Sequence, residues 1–451
     1  MAYHPEVPSN VTPPRGMRDF LPDEKAHRDG VMARIRDTYS SYGYREIETP
    51  VAEELSRLES GQGGDNEKLI FKILKRGLDP AAPVPPAEAA DLGLRFDLTL
   101  PLTRFYATHR GELPAVFRAI QIAPVWRAER PQKGRYRQFT QCDIDVLGES
   151  SNVAEVELIT ATLAALGGLG IEGTSVRIND RRVLHGILDA CGYPGPAQSK
   201  VLISVDKLDK IGVAGVADEL RRDDPGAAAD RLVDLLEVLA PRVAAGEPTD
   251  FDATVDALPS GVAGPAAELV AIRDAVRRAD PAAAIVADPT LVRGMGYYTG
   301  TIFELAHPAS PSSVGGGGRY DGMIGRFAGT DVPGCGFSIG FERIVELVDP
   351  ARFRPARRQV ALVFDEGVDP GHLVATQRRL IGDGAGVRLV RRTRNLGHLL
   401  GSLEAEGFDA WAALGPDGAG DRWPQLQPLG AGPGAGPGAG PGAGPGSGAE
   451  A

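Results

Sequence analysis

The sequence predicts an α+β protein: an antiparallel-sheet domain interrupted by a helical insertion, then a small α/β domain and a disordered tail. Three observations carry that expectation. Before residue 150, runs rich in β-branched and aromatic residues (KLIFKIL, LRFDLTL, VFRAIQIAPVWRAE, RQFTQCDIDVLG) follow one another without regularly alternating helices, which favours long-range antiparallel pairing. From about 195 to 285 Ala, Asp, Leu and Gly dominate, and helical patterns such as VADELRRD and AADRLVDLLEVL recur with few strand signals. From Gln359 onward strand and helix patterns alternate: QVALVF, PGHLVATQRRLIG, GVRLV, LGHLLGSLEAEG and DAWAAL.

Taken in order, residues 23–42 place Val31, Ile35, Tyr39 and Tyr42 on one helical stripe, with Asp23 and Glu24 suited to its start and Gly43 to its stop. YREIETP reads as a short strand closed by Pro50. A helix is expected over 153–166, then the strand SVRIND and a helix ending near Cys191. After the insertion, strand signals return at TGTIFELA and GCGFSIGFERIVELV, the latter running into a helix near Gly340. The expected division is 1–195 and 285–350 for the two parts of the sheet domain, 196–284 for the insertion and 358–425 for the α/β domain. Residues 430–451, an AGPG repeat unable to bury a core, form the tail.

The composition excludes several classes. At 451 residues, 42% hydrophobic and 24% charged, the chain reads as a globular protein of two or three domains. No apolar run reaches the roughly 20 residues of a membrane span, and no basic patch precedes an apolar stretch at the start, so a cytoplasmic protein without membrane association is expected. Cys142, Cys191 and Cys335 lie far apart with no CxxC pair, which argues against a disulfide framework or a zinc site. The seven histidines form no ligand spacing. A net charge of −11 disfavours long-range attraction to a polyanion, while local basic segments can still contact phosphates.

Three segments bear on chemistry. In WRAERPQKGRYRQFTQCDID, Arg127, Arg130, Lys133, Arg135 and Arg137 surround a Pro/Gly turn between two strand-like arms. Gln141, Asp143 and Asp145 follow at alternating positions, opposite Ile144 and Val146, so they share one strand face. That face is either a ligand platform or an exposed sheet surface, and the basic turn alone reads as solvated. In LVRGMGYYTGTIFE, Arg293 precedes a Gly-Met-Gly turn and Tyr297–Tyr298, a structural turn or a phosphate approach. SSVGGGGRYDGMIGRFAGTDVPGCGFSIGFERIV is glycine-rich but has neither Walker nor dinucleotide-fold spacing. There Arg343 lies early in a helix, with Glu342 beside it to hold it in place.

Together these segments resemble histidyl-tRNA synthetases over nearly the whole chain to about residue 415. GYREIETPVAE, FRAIQIAPVWRAERPQKGRYRQF and GCGFSIGFERIV are similar to the three class II motifs, and RFDLT, QCDID, RGMGYYTGT and VGGGGRYDG to histidine-specific signatures. The resemblance implies a class II synthetase sheet and adenylation of histidine by ATP with Mg²⁺. Arg127 and Arg293 would stabilise charge at the α-phosphate and the substrate carboxylate, and Arg135 and Arg343 would grip the distal phosphates. Glu129 would orient the adenine end or a Mg²⁺ ion, and Phe139 would stack on the base. It places Asp97, Thr99 and Gln141 at the histidine ammonium, Asp145 and Tyr298 at the imidazole, Tyr297 in the same pocket, and Leu98 among the histidine-binding residues. The metal ligands are unassigned. A homodimer and tRNA(His) are implied as partners.

Two departures stand out: Gly296 replaces the usual aspartate before the tyrosines, and the C-terminal domain lacks a final strand and helix, ending in WPQLQPLG. They open two other readings beside histidine–tRNA ligase. One is a histidine-adenylating paralogue serving a non-tRNA acceptor in biosynthesis. The other is a non-catalytic regulatory subunit of ATP phosphoribosyltransferase, against which the retained arginines speak.

Overall fold

The computed structural model describes residues 11–59, 66–78, 84–85, 88–132, 134–223, 226–292, 297–353, 357–416 and 424–429. The chain divides into two compact units, Met1–Phe353 and Arg354–Ala451.

The first unit is built on an eight-stranded sheet. Its strands are β1 (Arg45–Glu46), β2 (Phe117–Trp126), β3 (Gln138–Leu147), β4 (Ser175–Asp180), β5 (Ala284–Ala287), β6 (Thr301–Ala306), β7 (Gly315–Arg319) and β8 (Gly334–Ile339). Their spatial order is β1-β2-β3-β8-β7-β6-β4-β5. The pairings from β2 to β4 are antiparallel, and only the edge pairs β1–β2 and β4–β5 run parallel. Alternation along β3 sorts its side chains: Cys142, Ile144 and Val146 enter the main core with Val31, Ile35 and Tyr39 of the helix Pro22–Ser41 and Leu158 of the helix Val153–Gly168. Each such buried side chain contributes roughly 1.5–3 kcal/mol relative to exposure. Gln141, Asp143 and Asp145 face the opposite side.

The glycine run, which carries no strand signal of its own, is strand β7, and close approach explains why. A Cβ on Gly317 would lie 1.9 Å from the Gly336 carbonyl oxygen. Gly317 is flanked in register by Phe303 on β6 and Phe337 on β8, whose rings stack at 5.1 Å over the strand that carries no side chain between them. The expected strand LRFDLTL is also corrected. Its strand, Ala90–Leu94, belongs to a three-stranded sheet with Ala52–Glu54 and Lys72–Leu74, and Thr99 already opens the helix Thr99–His109.

Between β4 and β5 the chain is helical, including Gly195–Val205, Leu208–Asp223, Ala227–Ala245 and Ala263–Ala279. Gly212, at φ 68°, breaks the second of these. The second unit has a four-stranded sheet in which Gln359–Phe364 lies between Gly386–Arg391 and Ala410–Leu414, both parallel to it. The expectation that this unit lacks a final strand is corrected: Gln427–Pro428 pairs antiparallel with Ala410 and Trp411. The AGPG repeat lies outside the described residues. Among the described residues no single helix is long and apolar enough to cross a membrane, and Cys142, Cys191 and Cys335 are buried and free.

Candidate active site

A cleft of about 640 Å³ opens over the polar face of the sheet. Its floor is set by register. Gln121, Asp143, Ser338, Gly316, Glu304 and Arg177 are successive cross-strand partners, one polar row across six strands. The next row runs through Asp145, Gly336 and Gly318. A Cβ on Gly336 would stand 2.0 Å from Asp145 Oδ1, and one on Gly318 would stand 2.9 Å from Tyr298. Glycine at these two positions leaves room for the groups that project into the cleft.

Three buried carboxylates meet on this floor. Burial pushes Asp145 up to about 7, the Tyr320 hydroxyl opposes that by donating to Oδ1 at 2.5 Å, and Asp97 adds repulsion. Burial pushes Asp97 up to about 6, against a hydrogen bond from the Leu100 amide and the positive charge of Arg127. Asp143 is raised well above the carboxylate range, first by burial and next by Asp145. Tyr297 and Tyr298 stand beside these acids with ring centroids 4.7 Å apart, and Tyr297 meets Tyr320 edge-on at 6.2 Å.

Arginines line the same cleft. Arg127 leaves β2 where its amide donates to the Arg137 carbonyl at 2.8 Å. Its guanidinium donates to the Phe96 carbonyl at 3.1 Å and lies 5.0 Å from the Phe139 ring centroid. The hairpin between β2 and β3 closes through reciprocal backbone bonds of Gln132 and Arg135, and Arg135 pairs with Glu129 at 3.8 Å. Arg343 enters from the helix Phe341–Leu347 and donates to the Ser313 carbonyl.

Of the residues expected at the site, Asp97, Thr99, Arg127, Glu129, Arg135, Phe139, Gln141, Asp145, Tyr297, Tyr298 and Arg343 all line this cleft. Leu98 does not: its side chain is fully buried, and its carbonyl accepts from Gln121 at 3.0 Å, which fastens the 97–99 segment to the sheet. Arg293 and Gly296 lie outside the described residues. The role expected for Glu342 is corrected, because its carboxylate takes two bonds of 2.8 Å from Arg28, one from Arg18 and one of 3.0 Å from the Thr140 amide. Burial alone would raise that carboxyl, but Arg28 holds it below the ordinary range. Tyr320 has no special standing in the sequence beyond following the glycine run; strand pairing brings its hydroxyl to Asp145. Among the described residues no group of three or more His, Cys, Asp or Glu is placed to hold a metal ion.

A mostly antiparallel sheet carrying an acidic pocket and arginines on one face, flanked by a helical insertion, defines a class II aminoacyl-tRNA synthetase catalytic domain. The solved histidyl-tRNA synthetase of Nostoc sp. PCC 7120 superposes with TM-score 0.69 at 27% identity, over 90% of this chain and 92% of its own. A Bacillus halodurans protein described as an ATP phosphoribosyltransferase regulatory subunit/histidyl-tRNA synthetase superposes with TM-score 0.73 over 91% of this chain and 99% of its own. At 19% identity it shows the fold alone. Residues 16–344 match the family model described as histidyl-tRNA synthetase. A histidine–tRNA ligase of Leifsonia xyli is 53% identical over 418 residues, 91% of this chain and 96% of its own length. A probable histidine–tRNA ligase of Tropheryma whipplei is 43% identical over 422 residues, 90% of this chain and 96% of its own. The chain belongs to the histidyl-tRNA synthetase family.

Proposed function

We propose that this protein is a histidine–tRNA ligase that activates histidine with ATP and transfers it to tRNA(His). The observation that carries the reading is that one cleft brings together three buried carboxylates, Asp97, Asp143 and Asp145, and the guanidinium groups of Arg127, Arg135 and Arg343. An amino acid with an ammonium group and an imidazole suits the first, and a triphosphate suits the second. In the reaction the histidine carboxylate attacks the α-phosphorus, the bond to the bridging oxygen breaks, and pyrophosphate leaves. A hydroxyl of the terminal tRNA ribose then displaces AMP. Arg127 and Arg293 stabilise charge on the α-phosphoryl oxygens, and Arg135 and Arg343 hold the distal phosphates. Phe139 stacks on adenine. Asp97, Thr99 and Gln141 receive the ammonium, Asp145 and Tyr298 read the imidazole, and Tyr297 walls the pocket. Among the described residues no group of three His, Cys, Asp or Glu is placed to hold a metal ion, so Glu129 is the residue that would hold a Mg²⁺ ion arriving with the triphosphate, where the ion would neutralise phosphate charge.

The Leifsonia and Tropheryma relatives, which match nine tenths of the chain at 53% and 43% identity, are described as a histidine–tRNA ligase and a probable one, which does not favour a non-tRNA acceptor or a regulatory subunit. A homodimer and a cytoplasmic site of action complete the proposal, the first from family resemblance and the second from where charged tRNA is consumed. Histidine-dependent ATP–pyrophosphate exchange, followed by charging of tRNA(His) with the same preparation, tests it. Both activities are expected; exchange without charging would remove tRNA as the acceptor, and absence of exchange would remove the reading.

A further inference from the structure

Asp143 is counted among the buried carboxylates above but is given no contact of its own with substrate, yet it occupies the middle of the cleft floor. It is 4% exposed, lies between Gln121 and Ser338 in register, and lines the same cleft as Asp97 and Asp145. Its Oδ2 accepts a long bond, 3.4 Å, from the Gln141 amide nitrogen, which also lies 3.4 Å from Ser338 Oγ. Two acceptors are then left over: Asp143 Oδ1 and Gln141 Oε1 are both buried without a partner in hydrogen-bond geometry, the Ser338 hydroxyl being the one protein donor that offsets the raised titration of the Asp143 carboxyl. A buried acceptor with no donor costs about 1–3 kcal/mol, and two of them on one face of the strand in a cleft, with a further acceptor in Asp97, call for a ligand rich in donors. The protein's own cation there, Arg127, is directed to the Phe96 carbonyl and the Phe139 ring.

We propose that Asp143 binds the α-ammonium group of the amino-acid substrate directly, its Oδ1 joining Asp97, Thr99 and Gln141 Oε1 around the three N–H donors. A primary ammonium offers three donors and no acceptor, which matches this set; a neutral imidazole offers one. Asp143 thereby acts twice, since its Oδ2 turns the Gln141 amide so that the carbonyl rather than the NH₂ meets the ligand. The cage selects a primary amine over a desamino analogue of the same shape, because without the ammonium its acceptors stay unpaired. The inference rests on histidine being the substrate.

The test is calorimetric titration of the full chain, wild type and Asp143→Asn, with histidine, histamine and imidazolepropionate. Histamine keeps the ammonium and lacks the carboxylate; imidazolepropionate does the reverse. Asparagine can still accept from Gln141, so a residue that only orients Gln141 would leave all three affinities within about threefold, whereas direct binding of the ammonium requires the charge. Asp143→Asn is expected to weaken histidine and histamine by tenfold or more and to leave imidazolepropionate within threefold. Equal loss for all three ligands, or no loss for any, would overturn the proposal. The variant removes one of three crowded acids, so its melting temperature is expected to match or exceed wild type. Asp143→Ser, which also lacks the carboxylate, serves if it does not, and must show the same ligand pattern. Failure of the wild type to bind histidine would instead overturn the substrate reading and this inference with it.

Discussion

Replacing Asp145 with asparagine is expected to make the empty protein more stable and less active, with a gain in stability that depends on pH. The folded carboxyl titrates at about 7, against about 3.9 in an unfolded chain. Below the unfolded value both states hold the proton. Between the two values the native state keeps a proton that the unfolded chain has released, so the stability present at low pH is lost as pH rises through the folded value. At about 1.4 kcal/mol per pH unit, the two units from pH 5 to 7 cost the wild type roughly 2–3 kcal/mol, and little more is lost by pH 8. Asparagine does not titrate. It brings an N–H group whose lack of a partner costs roughly 1–3 kcal/mol, but that cost is the same at every pH. Thermal melts of the ligand-free variant and wild type at pH 5 and pH 8 isolate the carboxyl: the difference in melting temperature should shift in favour of asparagine by a few degrees at pH 8. A difference that stays constant, or shifts the other way, would refute the reasoning. Histidine-dependent exchange should fall at least a hundredfold, because the imidazole loses its charged acceptor.

Other perturbations separate chemistry from support. Arg127→Ala and Arg293→Ala should each lower the exchange rate by about two to three orders of magnitude, while circular dichroism stays unchanged; an unaltered rate would remove that arginine from the phosphate end. Gly336→Ala puts a methyl where Asp145 Oδ1 now lies, and should raise the KM for histidine tenfold or more with a smaller effect on the KM for ATP. Arg28→Ala leaves Glu342 buried with its bidentate partner gone, and should destabilise the fold by about 3 kcal/mol, read by denaturant titration.

Legibility in the sequence followed the range of the interactions involved. The helix Pro22–Ser41 and the polar face of β3 could be read directly, because 3.6-residue and two-residue periodicities are local. The glycines of β7 look like a flexible loop in isolation; only Phe303 and Phe337, from strands on either side, show why that strand is bare. Glu342 is next to Arg343 in the chain but bonds to Arg28, 314 positions earlier, a pairing no local pattern contains. Asp145 could be placed on the ligand face from alternation, whereas its raised titration depends on burial and on Asp97. Leu98 sits between two cleft residues yet turns into the core, since a chain entering a helix directs neighbouring side chains differently.

The glycines that border the polar row have a consequence for how two dissimilar reactants share one opening. Gly316, Gly318 and Gly336 keep that face of the sheet low, so acid side chains and guanidinium groups can rise into a single cavity around it, as wards are cut into one lock. A ligand that fills only part of the cavity leaves some of those polar groups unmatched, so the combination of a donor-rich amino acid with an anionic nucleotide is accommodated better than two copies of either.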